Sequence, residues 1–189
     1  MLRMIRPAIV LLAVFTLITG IAYPLAVTGV AQLLFPFQAN GSIITRDGKP
    51  AGSSLIGQPF EGVGYFWGRP SATLPYPYNA AASSGSNLSQ SNPGLLERVQ
   101  ARDSLFKDAS QDNKTVPVDL LTASGSGLDP HISPVSAEYQ VHRVAAERGL
   151  DEAWVRALIT AYTEGRQFGI FGEPRVNVLR LNLALDKLR

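Results

Sequence analysis

Ser124, Ser126, Asp129 and His131 are residue types that could build a hydrolytic site. A serine becomes a nucleophile when a histidine takes its proton and an aspartate orients that histidine. Neighbours in sequence rarely supply such a triad by themselves, so Asp129-Pro130-His131 reads as a turn and His131 as a polar packing residue. The Gly-x-Ser-x-Gly elbow is absent: its nearest match, Ala82-Ser83-Ser84-Gly85-Ser86, opens on Ala where Gly belongs. His142 has no second ligand at i+3 or i+4 and reads as a surface or packing residue. The chain has no cysteine and two histidines. That excludes a disulfide scaffold, a thiolate metal site and a cysteine nucleophile, and leaves too few ligands for the usual zinc patterns. No catalytic residue, metal ligand or bound cofactor is assigned. An extracytoplasmic serine hydrolase using Ser126 or Ser124 with His131 is the alternative reading.

Whatever these residues do, they are tethered. Between Arg6 and Arg46 no residue is charged, and Ile5 to Phe35 is almost wholly apolar. A membrane-spanning helix needs about 20 apolar residues, and a cleaved signal carries about 7 to 15. The run therefore predicts one uncleaved transmembrane helix over 7–34, with 1–6 cytoplasmic and 35–189 outside. Arg3 and Arg6 precede the run and nothing charged follows it closely, which keeps the N-terminus in the cytoplasm. Pro24 removes one backbone donor and predicts a local kink. Gly20 and Gly29 would let another membrane helix approach closely. The net charge of +2 is scattered among acids, which excludes nucleic acid as a partner.

The outer part reads as one α+β domain, mainly helical with a few short strands. Ser53 to Gln58 and Gly64 to Trp67 suit brief strands bounded by glycine and proline. Helices are expected over 92–112, opened by Asn92-Pro93, and over 133–149, opened by Ser133-Pro134 and closed by Gly149. A third covers 151–164 with Asp151 as its cap, and a fourth covers 177–188 with Asn177 as its cap. The segment from Val176 also fits a strand period. In the second of these helices Val135, Tyr139, Val141, Val144 and Ala145 are expected to face inward, and the third carries Trp154, Leu158, Ile159 and Tyr162.

Arg69 to Pro93 has neither a helical nor a strand period and reads as a long loop. Arg69, Tyr76, Tyr78 and Asn79, with Asn87 and Leu88 further on, offer the aromatic, guanidinium and amide groups that protein interfaces favour. Within this loop Ser84, Gly85, Ser86 and Gln90 stand in a stretch similar to the signature loop of ATP-binding cassette proteins. A nucleotide contact there is the weaker alternative, because the chain has no phosphate loop ending in Gly-Lys-Ser/Thr.

Four stretches together resemble one family. They are Leu55-Ile56-Gly57-Gln58; Phe66-Trp67-Gly68-Arg69-Pro70-Ser71-Ala72-Thr73 with Tyr78-Asn79 and Ser86-Asn87-Leu88; Val116-Pro117-Val118 with Thr122 to Asp129; and Val176-Asn177-Val178 with Leu181 to Asp186. With the single N-terminal helix, they resemble the C subunit of the Kdp high-affinity potassium-transporting ATPase over essentially the whole chain. The resemblance implies a non-catalytic accessory subunit of an ATP-driven potassium importer, single-pass in the cell inner membrane. Its implied partners are a channel-like potassium-conducting subunit, the P-type ATPase subunit, a small membrane subunit and the lipid bilayer. ATP and potassium are then handled by the partner subunits. The family's catalytic-chaperone role, raising the ATP affinity of the ATPase subunit, is implied in an indirect form. The insert Leu74-Pro75-Tyr76-Pro77 and the serine-rich form of the loop before Asn87 depart from the family pattern.

Overall fold

The computed structural model describes residues 2–110 and 114–188. The chain divides into two units, Met1–Pro50 and Ala51–Arg189. In the first, α1 (Leu2–Leu17), a π turn (Ile18–Ala22) and α2 (Tyr23–Leu34) run on without interruption. Arg3–Leu34 is a span of 32 residues with a mean hydropathy of 2.3 and none of it buried. Hydrocarbon offers no partner to a backbone amide, so such a segment must close all its hydrogen bonds internally. The π turn accommodates Pro24: the Tyr23 amide reaches back to the Ile18 carbonyl, and the widened turn carries the helix past the proline. Thr19 Oγ1 donates to the Phe15 carbonyl at 2.7 Å, which satisfies its hydroxyl within the helix. A Cβ added to Gly20 or Gly29 would meet nothing within 4 Å.

After α3 (Pro36–Ala39), the strands β1 (Ile43–Arg46) and β2 (Lys49–Ser53) pair through Asp47-Gly48. Both turn residues have positive φ, 51° and 74°. That is the Asp-Gly pattern a two-residue hairpin demands.

The second unit packs helices over a small antiparallel sheet of order β3-β5-β4. Its strands are His131–Ile132 (β3), Thr163–Glu164 (β4) and Arg175–Asn177 (β5). Val176 sits opposite both Ile132 and Thr163. The helices are α4 (Pro93–Ser110), α5 (Val118–Leu121), α6 (Pro134–Tyr139), α7 (Val141–Arg148), α8 (Glu152–Tyr162) and α9 (Val178–Leu185). Each expected cap is in place. Asn92 accepts from the Gly94 amide at 2.9 Å, Ser133 from Ser136 at 3.1 Å, Asp151 from Ala153 at 2.8 Å and Asn177 from Arg180 at 3.1 Å. Gly149 turns left-handed at φ 65° and ends α7. Phe66, Phe106, Leu120, Val144, Leu181 and Leu185 are fully buried at the centre of the core. Burying each such side chain contributes about 1.5–3 kcal/mol.

The structure departs from the sequence reading in three places, and one expectation falls beyond its described residues. Residues 111 and 112, expected to end the helix of α4, lie outside the described residues. The expected helix over 133–149 is two, because Gln140 turns inward at φ −90°, ψ −7° and its carboxamide is taken by another segment. Neither Ser53–Gln58 nor Gly64–Trp67 is a strand beyond Ser53. Two buried side chains replace the strand neighbour at residues 66 and 67, as described below. Val135 faces outward, at 69% exposure. The stretch from Val176 satisfies both of its periods, as strand β5 and then helix α9.

Candidate functional site

The loop of residues 68–92 begins at a clasp. Phe66 donates its amide to Asn182 Oδ1 and accepts at its carbonyl from Asn182 Nδ2, each at 2.9 Å. Trp67 does the same with Gln140, at 2.8 Å to Oε1 and 3.1 Å from Nε2. Buried backbone groups must be paired, and here two carboxamides take the role of a neighbouring strand. The Arg143 guanidinium lies 4.3 Å over the Trp67 ring and that of Arg102 lies 4.9 Å over Phe106. Arg102 Nη2 donates to the Gly68 carbonyl at 2.9 Å, and Arg143 Nη2 donates to Gln140 Oε1 at 2.7 Å. Burial, and then the charge of Arg102, lower the Arg143 guanidinium to about 10.

From Gly68 on, the loop is pinned by its own polar groups. Arg69 Nη1 stands 3.3 Å from Asp129 Oδ2, and Nη2 donates to the Ala123 carbonyl at 3.4 Å. The Tyr78 hydroxyl donates to the Arg69 carbonyl. Its ring fills the space left by two glycines: a Cβ on Gly57 would stand 2.3 Å from the ring, and one on Gly68 would stand 3.0 Å from the hydroxyl. Asn79 is 6% exposed. It donates to the Leu74 carbonyl at 2.8 Å and caps the short turn at Ala80–Ala82. Burial pushes the Tyr78 phenol above its ordinary value, with Arg102 and Arg69 opposing in part. Burial alone would raise Asp129. The side-chain and backbone hydrogen bonds of His131, with the charge of Arg69, outweigh it and hold the carboxyl below its ordinary value.

The serine-rich stretch then lies backbone to backbone against residues 124–127. Ser83 Oγ donates to the Ser126 carbonyl at 3.0 Å and Ser71 Oγ to the Gly127 carbonyl at 2.7 Å. A Cβ on Gly85 would meet the Gly125 carbonyl oxygen at 3.0 Å. One on Gly127, where φ is 66°, would meet the Ser84 carbonyl oxygen at 2.5 Å.

The structure thus sorts the sequence-derived candidates. Arg69, Tyr78 and Asn79 are held inside the domain's own hydrogen bonding. Tyr76 is 57% exposed, Asn87 is exposed at φ 51° and Leu88 is half-buried. Of the nucleotide candidates, Gly85 is closed off by Gly125, and Ser84 and Gln90 are at the surface. Ser86 lines a pocket of about 450 Å³ with Thr73, Leu95, Arg98 and Arg102. The two guanidiniums had carried no functional reading in the sequence. Their spacing of four on α4 was the signal available.

Asp129 and His131 do meet, with Nδ1 3.3 Å from Oδ1. The serines turn elsewhere: Ser124 Oγ accepts from the Gly127 amide at 2.9 Å, and Ser126 Oγ from the Leu128 amide at 3.1 Å. Among the described residues no hydrogen bond joins either hydroxyl to His131, so the geometry gives the hydrolase alternative no support. His142 pairs with Glu152 at 2.8 Å on the surface.

A model of the family described as "K+-transporting ATPase, c chain" (KdpC) matches residues 5–187. The chain is 60% identical over 190 residues to the potassium-transporting ATPase KdpC subunit of Methylococcus capsulatus, covering 100% of each chain. It is 58% identical to that of Dechloromonas aromatica, covering 100% of this chain and 99% of the relative. It is 61% identical to that of Polaromonas naphthalenivorans, at 100% and 97%. An apolar helix followed by a tightly bonded domain, matched from end to end by these relatives, places the chain in the KdpC family, the c chain of the potassium-transporting ATPase.

Proposed function

We propose that this chain is a non-catalytic accessory subunit that assembles and stabilises an ATP-driven potassium import complex. In this reading its helix lies in the inner membrane with residues 1–6 in the cytoplasm, and its outer domain clamps the channel-like subunit from outside. The P-type ATPase subunit and a small membrane subunit complete the complex, and ATP and potassium stay with the partners. The observation that carries the reading is the family match along 5–187, the helix included. The internal bonding of residues 66–92 supports it, because a clamp must hold a fixed shape. Two attachments to one complex, through lipid and through the outer domain, raise each other's effective concentration. Any influence on ATP affinity then reaches the ATPase subunit through a shared conformational equilibrium.

The test expresses the other subunits with the full chain, with residues 1–50 alone, and without it, and measures the complex recovered in mild detergent. Full recovery is expected only with the whole chain. Equal recovery without the chain would overturn the reading.

A further inference from the structure

Residues 165–175 form an unbroken exposed stretch that leaves the domain between β4 and β5. At its tip stand Phe168, Ile170 and Phe171, at 92%, 70% and 64% exposure. The tip is ordered. Gln167 and Phe171 exchange both backbone hydrogen bonds, each at 2.9 Å, and the Gly169 amide donates to the Arg166 carbonyl at 3.1 Å.

Two features say that these side chains are present for contact. A position at φ 54° suits Gly or Asn, and a bulky residue holds it only under strain; here it is occupied by Phe168, followed by Gly169 at 73°. The turn therefore carries an aromatic ring that its backbone disfavours. The charges of the rim are also paired. Arg166 Nη2 reaches both carboxylate oxygens of Glu173 at 2.7 Å, and Arg175 and Arg180 share Glu164 at 3.1 and 3.2 Å. Segments that bind anionic lipid keep a free basic face. A rigid apolar tip whose neighbouring arginines are each tied to an acid instead has the composition of an interface hot spot, in which aromatic anchors fill a pocket and a polar rim excludes water.

We propose that Phe168, Ile170 and Phe171 form a knob that seats in an apolar pocket on the extracytoplasmic face of another subunit of the potassium-transporting complex. The proposal rests on the accessory-subunit reading and names the surface that would do the clamping.

The test uses the whole complex with p-benzoylphenylalanine in place of Phe168, irradiated in membranes. An adduct with another subunit is expected; adducts only with lipid, only with a second copy of this chain, or with nothing would overturn the proposal. In parallel, Phe168→Gly and Phe171→Ser are co-purified with the other subunits. Recovery should fall about tenfold, while the thermal midpoint of the isolated full chain is held or raised, since glycine relieves the strain. Recovery at the wild-type level, or a midpoint that falls in step with recovery, would overturn it. Co-purification of the wild-type chain separates the two readings. If that fails, the subunit reading fails; if only the tip variants behave as wild type, the knob alone fails.

Discussion

Asn182 holds Phe66 by both ends of its carboxamide, at 2.9 Å each, across 116 residues of chain. A single side chain on α9 thus fixes the backbone at which the loop of residues 68–92 begins. Asn182→Leu keeps the branched heavy-atom shape and orphans two buried backbone groups. Each such loss costs about 1–3 kcal/mol, so the domain should lose about 3 kcal/mol. Denaturant unfolding of the full chain in detergent, followed by the fluorescence of Trp67 and Trp154, measures it.

The two glycines of Ser124-Gly125-Ser126-Gly127 should respond oppositely. A Cβ at Gly125 meets nothing within 4 Å, whereas at Gly127 it stands 2.5 Å from a carbonyl oxygen on a left-handed backbone. Gly125→Ala should leave the thermal midpoint unchanged. Gly127→Ala should cost about 2 kcal/mol or more. Equal midpoints would mean that the loops are not packed backbone to backbone.

Acid should loosen this region through Asp129. Its folded pKa lies below its unfolded value, so its stabilising contribution is fully present above the unfolded value near 4 and is lost as pH falls through the folded one. The wild-type unfolding midpoint should fall steeply below about pH 4. Asp129→Asn should start lower at pH 7 and fall less steeply through that window. Thermal melts from pH 3 to 7 compare the two slopes.

Topology has a clean reporter, because the chain has no cysteine of its own. Ser91→Cys should react with a membrane-impermeant maleimide on intact cells, and Met4→Cys only after permeabilisation. The reverse pattern would place the domain in the cytoplasm.

The termini of the elements were legible where one residue acts on its neighbours. Asn92, Ser133, Asp151 and Asn177 each cap the helix expected of them, and Gly149 ends one. The apolar run from Ile5 was legible for the same reason, since composition alone decides it. The Asp47-Gly48 hairpin carried a local signal that the sequence reading passed over. What was not legible depends on distant partners. Residues 66 and 67 look like a strand because they are apolar and extended, yet Asn182 and Gln140 take the place of the neighbour. The same use of Gln140 breaks a helix whose periodicity runs straight through it. Strands of two or three residues, such as His131–Ile132, are too short to show a period. Arg69 and Tyr78 had the chemistry of interface anchors, and only the structure places them against Asp129 and in the space beside Gly57.

The central claim is that the domain serves assembly and not ATP chemistry. Its most direct test is the ATP dependence of hydrolysis per assembled complex, measured for complexes carrying wild-type chain or Asn182→Leu. The account predicts that the weakened domain lowers the amount of complex recovered, while the complex that remains shows KM for ATP within about twofold of wild type. Normal recovery with a KM raised about tenfold would contradict it, and would place the chain's action on ATP affinity itself.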